Sequence, residues 1–169
     1  MGIRSTALGL ALGAALCAPA LAQETKQTVE GAQRFLEIVL PGVRINANTW
    51  LLNNKPVDLS RYGEVLEVTT VARCHTRVRL KYDKHDRRMR NPDNGRWEDF
   101  SWNAHTRTLD MRFDQWTEVE TRGKLEVWAH STAGRPIRML QTSESLTARL
   151  AHALDFLRQN CDAAARTGF

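Results

Sequence analysis

Cys74 and Cys161 are the residues with the most specific chemistry in this chain. A third cysteine, Cys17, falls within the opening MGIRSTALGLALGAALCAPALAQET. That stretch has the layout of a secretory leader: a basic start at Arg4, the apolar run Ala7–Leu16, then Ala20-Leu21-Ala22 with small residues at both outer positions. It is too short and too rich in Ala and Gly to span a bilayer. A lipoprotein signal would need a small residue before Cys17, and Leu16 stands there. Cleavage before Gln23 is therefore expected, leaving Cys74 and Cys161 as the only cysteines in an oxidising compartment. Both fall on inward-facing phases of elements far apart in the chain, so they are expected to pair. No Cys-x-x-Cys spacing lowers a thiol pKa, which makes the bridge a staple rather than a redox centre.

The five histidines, His75, His85, His105, His130 and His152, show no compact metal-ligand spacing. No Gly-x-Ser-x-Gly and no Gly-rich loop before a helix is present, so neither a nucleophile elbow nor a phosphate cradle is expected. Glu98-Asp99, Asp110 and Asp114 fall on solvated strand phases, where cross-strand pairing accounts for them. The chain is thus expected to hold no catalytic residue, metal or cofactor of recognisable pattern.

The charge is unevenly placed. Residues 1–22 contain one charged residue, Arg4, so export lowers the formal net charge from +5 to +4. Arg79–Arg90, RLKYDKHDRRMR, holds six cations and two aspartates. Outside it the exported chain has 17 basic and 17 acidic residues. Arg79, Lys81, Lys84, Arg87, Arg88 and Arg90 are therefore candidate contacts for an anionic partner. Trp97 and Tyr82 are near enough in sequence to add stacking. The same residues also suit a solvated hairpin whose charge protects a sheet edge. Trp50, Trp116 and Trp128 fall on outward strand phases, and exposed aromatics can form a binding patch. Cover by the N-terminal helix is the other outcome for them.

Periodicity supplies the frame. Thr28–Leu40 reads as an amphipathic helix ended by Pro41-Gly42. Val43–Leu52 reads as a strand, followed by a turn at Asn53–Pro56 and a loop to Gly63. Glu64–Tyr82 alternates throughout, with Leu66, Val68, Thr70, Ala72, Cys74, Thr76, Val78, Leu80 and Tyr82 on one side. At about 3.3 Å per residue that is too long for one straight strand, so it bends, bulges or turns. Strands are expected at Arg96–Trp102, Arg107–Glu120, Leu125–His130 and Arg135–Gln141, with the Arg79–Arg90 segment running into a turn. Leu146, Leu150, Ala153, Leu154, Leu157 and Cys161 then form one helical stripe.

This order, a helix, six or seven antiparallel strands and a closing amphipathic helix, makes an α+β domain over residues 23–162 with a frayed tail at 163–169. From Val43 to Cys161 the order resembles the pleckstrin-homology-like architecture, in which the last helix plugs an open barrel. A cystatin-like sheet curled around a helix is the alternative. Neither likeness implies a function. The expected function is that of an exported, periplasmic or secreted, non-enzymatic binding protein of the bacterial envelope, of inhibitor or adaptor type. Its partner would be a protein or an anionic envelope component, with no stable membrane span after cleavage. Two alternatives are a hydrolytic or lipid-modifying enzyme with dispersed His and carboxylate groups, and an anion- or nucleic-acid-binding module built on Arg79–Arg90.

Overall fold

The computed structural model describes residues 27–47, 50–52, 55–57, 61–132 and 134–161. The expected leader with its cleavage point, and the tail from 163, lie outside the described residues. Helix α1 (Val29–Val39) begins at Thr28, whose side chain accepts from the Gly31 N–H at 3.0 Å. This is the ordinary way to satisfy a free N–H of the first turn. Eleven strands follow: β1 (Arg44–Asn46), β2 (Trp50–Leu52), β3 (Lys55–Val57), β4 (Gly63–Ala72), β5 (His75–Tyr82), β6 (His85–Arg90), β7 (Trp97–Trp102), β8 (His105–Arg112), β9 (Trp116–Arg122), β10 (Glu126–Ser131) and β11 (Gly134–Leu140). Helix α2 (Glu144–Cys161) closes the chain.

Seven strands form one antiparallel sheet in the order β8-β5-β4-β1-β11-β10-β9. Its two edges, β8 and β9, are consecutive in the chain, joined by the 3-10 turn Phe113–Gln115. A flat sheet would hold them about 29 Å apart at about 4.8 Å per strand. The four-residue step from Arg112 to Trp116 reaches at most about 14 Å. The sheet therefore curls until its edges approach at this corner, but they do not pair, and it is not closed into a barrel.

Both helices lie on the inner face. Val29, Ala32, Leu36 and Leu40 of the α1 region and Leu150, Leu154, Leu157 and Cys161 of α2 share one core with Ile45, Val65, Val78, Leu80, Tyr82, Met111, Val127, Ala129, Ile137 and Met139. The helices pack against each other, α2 also against β9 and β10, and α1 against β4. The first helix is thus half of the covering layer. It does not cover the outer face, where Trp128 lies.

Several expected elements divide differently. The Glu64–Tyr82 alternation is two strands with a tight turn at Arg73-Cys74. The register shifts at Leu66 and again at Val71. Each bulge adds one residue and reverses the facing, so Val65 is buried and Leu66 is exposed, opposite to strict alternation. Val43–Leu52 is not one strand: β1 joins the main sheet, and β2 pairs with β3 in a separate hairpin, β3 taking in the end of the expected turn and the start of the expected loop. Arg107–Glu120 divides into β8 and β9, on opposite edges. The second half of Arg79–Arg90 is strand β6, not a turn. No helix among the described residues is long and apolar enough to cross a membrane.

The β4–β5 turn is held from three sides. Cys74 has φ +65, the only positive φ among the described non-glycine residues. It is disulfide-bonded to Cys161 at the end of α2, with a Cα–Cα distance of 5.5 Å. Its carbonyl accepts from the Phe113 N–H at 3.1 Å. Gln33 of α1, 1% exposed, donates through Nε2 to the Ala72 carbonyl at 3.0 Å and to Thr76 Oγ1 at 3.2 Å. The pairing expected from residue phases is thus made. Cys74 nevertheless sits in the turn rather than within a strand.

Candidate binding surface

Among the described residues, the most exposed large hydrophobic side chain outside the helices lies on a hairpin arm. β5 passes through Asp83-Lys84 into β6, and β7 passes through Asn103-Ala104 into β8. The two-stranded β6–β7 ribbon therefore extends the β5–β8 pair beyond the main sheet. At its base the Arg61 guanidinium donates to the Asp83 carbonyl and lies 5.3 Å from the Tyr82 ring centre. Tyr82 stacks on His105 at 5.2 Å.

One ribbon face turns toward the body. His85, Met89, Phe100 and Trp102 are half-buried there, with Met89 and Trp102 against the core. The other face carries Asp86 opposite Ser101, Arg88 opposite Asp99 and Arg90 opposite Trp97. All six are exposed. Ser101 donates to Asp86 at 2.5 Å. Trp97 is 65% exposed.

The tip is tied together by its own polar groups. The Asn91 N–H donates to the Arg96 carbonyl and the Gly95 N–H to the Asn91 carbonyl, both at 2.8 Å. Asn91 Oδ1 accepts from the Asp93 N–H and Asn94 Oδ1 from the Arg96 N–H, both at 2.9 Å. The Glu98 carboxylate accepts from both side-chain amides, Asn91 and Asn94, at 2.7 Å each. Those two bonds, first Asn91 and then Asn94, hold the Glu98 carboxyl below its ordinary range. Arg90 Nε closes the tip on the Gly95 carbonyl at 2.8 Å. Asn91-Pro92-Asp93-Asn94-Gly95 has turn chemistry in its proline and its Asn-Gly, and Gly95 takes the positive φ of +70 that this turn requires.

The predicted cations are brought together only in part. Arg79 points from the outer face of β5 and pairs with Glu67 at 3.1 Å. Lys81 pairs with Asp83 at 3.4 Å and Lys84 with Asp86 at 3.1 Å. Arg87 lies on the half-buried face of the ribbon, opposite Phe100. Arg88 and Arg90 alone share the exposed face with Trp97. Across residues 83–102, Lys84, Arg87, Arg88, Arg90 and Arg96 are matched in number by Asp83, Asp86, Asp93, Glu98 and Asp99. The arm has no net formal charge, because its partner strand and tip supply acids that a window ending at Arg90 leaves out.

The remaining tryptophans are more enclosed. Trp116 is only 7% exposed, against its expected outward phase, because the 3-10 turn rotates it edge-on to Phe113 at 4.9 Å. Trp128 does lie on the outer face, with the Arg122 guanidinium 3.9 Å and that of Arg138 5.2 Å from its ring centre. Its Nε1 donates to Glu126 at 2.9 Å. The side chain of Trp50 lies outside those described.

Among the described residues, two histidine–carboxylate pairs occur on the outer face. His75 Nε2 is 2.8 Å from Asp110, which also accepts from Arg77 at 3.1 Å. His130 Nε2 is 3.0 Å from Glu120, which also accepts from Arg122 at 2.8 Å. Both carboxyls are held below their ordinary values, chiefly by the histidine hydrogen bond. Carboxylates shared with arginine are weak bases, so these pairs serve best as ties between neighbouring strands. Among the described residues, no three His, Cys, Asp or Glu side chains are grouped to hold a metal ion.

No protein-family model, curated protein or solved structure matches this chain. The case for this candidate surface therefore rests on its geometry.

Proposed function

We propose that this is an exported, non-enzymatic binding protein that engages a protein partner through the tip of its β6–β7 arm. The observation that carries this reading is Trp97, 65% exposed on a tip whose backbone and amides are already hydrogen-bonded. Tryptophan and arginine dominate the energetics of protein interfaces. A segment ordered before binding loses less conformational entropy when it docks. The neutral arm favours a protein cleft over a polyanion, since binding to phosphates relies on unmatched cations. A leader-like start and a cross-link support an extracytoplasmic site of action.

The test compares partner recovery from periplasmic extract by the wild type, Trp97→Ala and Arg88→Glu. Loss of the same partner with both variants, at unchanged melting temperature, is the expected result. Full recovery by Trp97→Ala would remove the arm from the reading. Recovery of nucleic acid instead, with a log-log salt slope near about −4 to −5 for about five neutralised phosphates, would support the polyanion alternative.

A further inference from the structure

A second feature lies at the junction of the two helices, away from the arm. Thr28, Gly31, Ala32 and Phe35 of the α1 region recur at helical spacing along one wall of a groove. Arg149, His152 and Ala153 of α2 form the other wall. Ala32 and Ala153 are buried at its floor and Phe35 is half-buried at its side. The small residues at 31, 32 and 153 leave a hollow of about 590 Å³. That volume falls within the range of small-molecule sites.

The chemistry of the lining is asymmetric. The floor is apolar. The rim carries the Arg149 guanidinium, 5.2 Å from the Phe35 ring centre. His152 Nε2 stands beside it on the same helix, 3.2 Å from Gln27 Oε1. Among the described residues that line the groove there is no carboxylate. A small polar anion would leave the floor uncovered, and a neutral lipid would leave the cation unused. From Thr28 to Phe35 the wall runs only about 10 Å at 1.5 Å per residue, which suits one short chain better than a two-chain lipid.

We propose that this groove binds a free fatty acid, with its alkyl chain on Ala32, Phe35 and Ala153 and its carboxylate at Arg149. The site is separate from the arm, so it stands or falls independently of the protein-binding reading.

The experiment is calorimetric titration of the exported protein with laurate, below its micellar concentration, beside dodecanol. Saturable laurate binding is expected, weaker by tenfold or more for Arg149→Glu. Arg149 is exposed and that change should leave folding intact. Ala153→Trp should fill the hollow and abolish binding, whereas Trp97→Ala should bind laurate normally. Dodecanol binding as tightly as laurate would overturn the proposal. So would equal affinity in Arg149→Glu, or no saturable laurate binding by the wild type.

Discussion

Replacing both cysteines, Cys74→Ala with Cys161→Ala, opens a loop closed over a sequence separation of 87. Chain entropy alone puts the loss at about 4–5 kcal/mol for such a loop. Removing native bridges from small secreted domains costs about 2–5 kcal/mol, so the lower part of that range is the safer expectation. Burial of Cys161, 4% exposed, adds a small cavity. Against a typical total of about 5–15 kcal/mol, the double variant should stay folded at room temperature with a clearly reduced margin. Its position in the turn allows a finer test. At φ +65 a β-carbon costs about 1–2 kcal/mol, while glycine loses about 0.5–1 kcal/mol of extra chain entropy. Cys74→Gly with Cys161→Ala should therefore be the more stable of the two bridge-free proteins, by up to about 1 kcal/mol. Urea unfolding followed by tryptophan fluorescence measures both differences. A double alanine variant within about 1 kcal/mol of the wild type would refute the staple. A glycine variant less stable than the alanine one would refute the account of the turn.

Two further outcomes rest on other parts of the structure. At Gly63, an added β-carbon would lie 2.8 to 3.0 Å from three ring atoms of Tyr82. That ring is fully buried between Arg61 and His105, so Gly63→Ala should lower stability by about 1–3 kcal/mol, and an unchanged urea midpoint would contradict the packing. Glu98 is held below its ordinary 4.5. A carboxyl depressed in the folded state stabilises fully above its unfolded pKa and loses that contribution as pH falls through the folded value. Amide protection at Asp93 and Arg96 should be level above about pH 5 and should fall at more acid pH; protection that is constant down to pH 2 would exclude the Glu98 clamp.

The local frame of this molecule was legible in its sequence because it depends on local periodicity. Leu150, Ala153, Leu154, Leu157 and Cys161 mark the buried stripe of α2 whatever that helix packs against. The alternation from Val78 to Tyr82 faces the core as written. Asn91–Gly95 turns because proline and glycine restrict or permit φ locally. Cys74 and Cys161 pair as expected, although Cys74 lies in a turn and so has no strand phase.

The remaining features depend on contacts between distant residues. Gln33 looks like one more polar position of α1, yet it is buried because the β4–β5 turn offers it acceptors 39 and 43 residues away. The bulges at Leu66 and Val71 leave no sign in composition, since one inserted residue changes the facing and not the residue types. Trp116 is buried by the turn that carries the chain from one sheet edge to the other, and that crossing exists only once the sheet curls. The basic segment shows the same limit. Its excess charge is real along the chain, but β7 and the tip bring Asp93, Glu98 and Asp99 to the same arm. What the fold leaves exposed there beside the charges is Trp97, because exposure is decided by which ribbon face meets the core, and that is a property of tertiary packing alone.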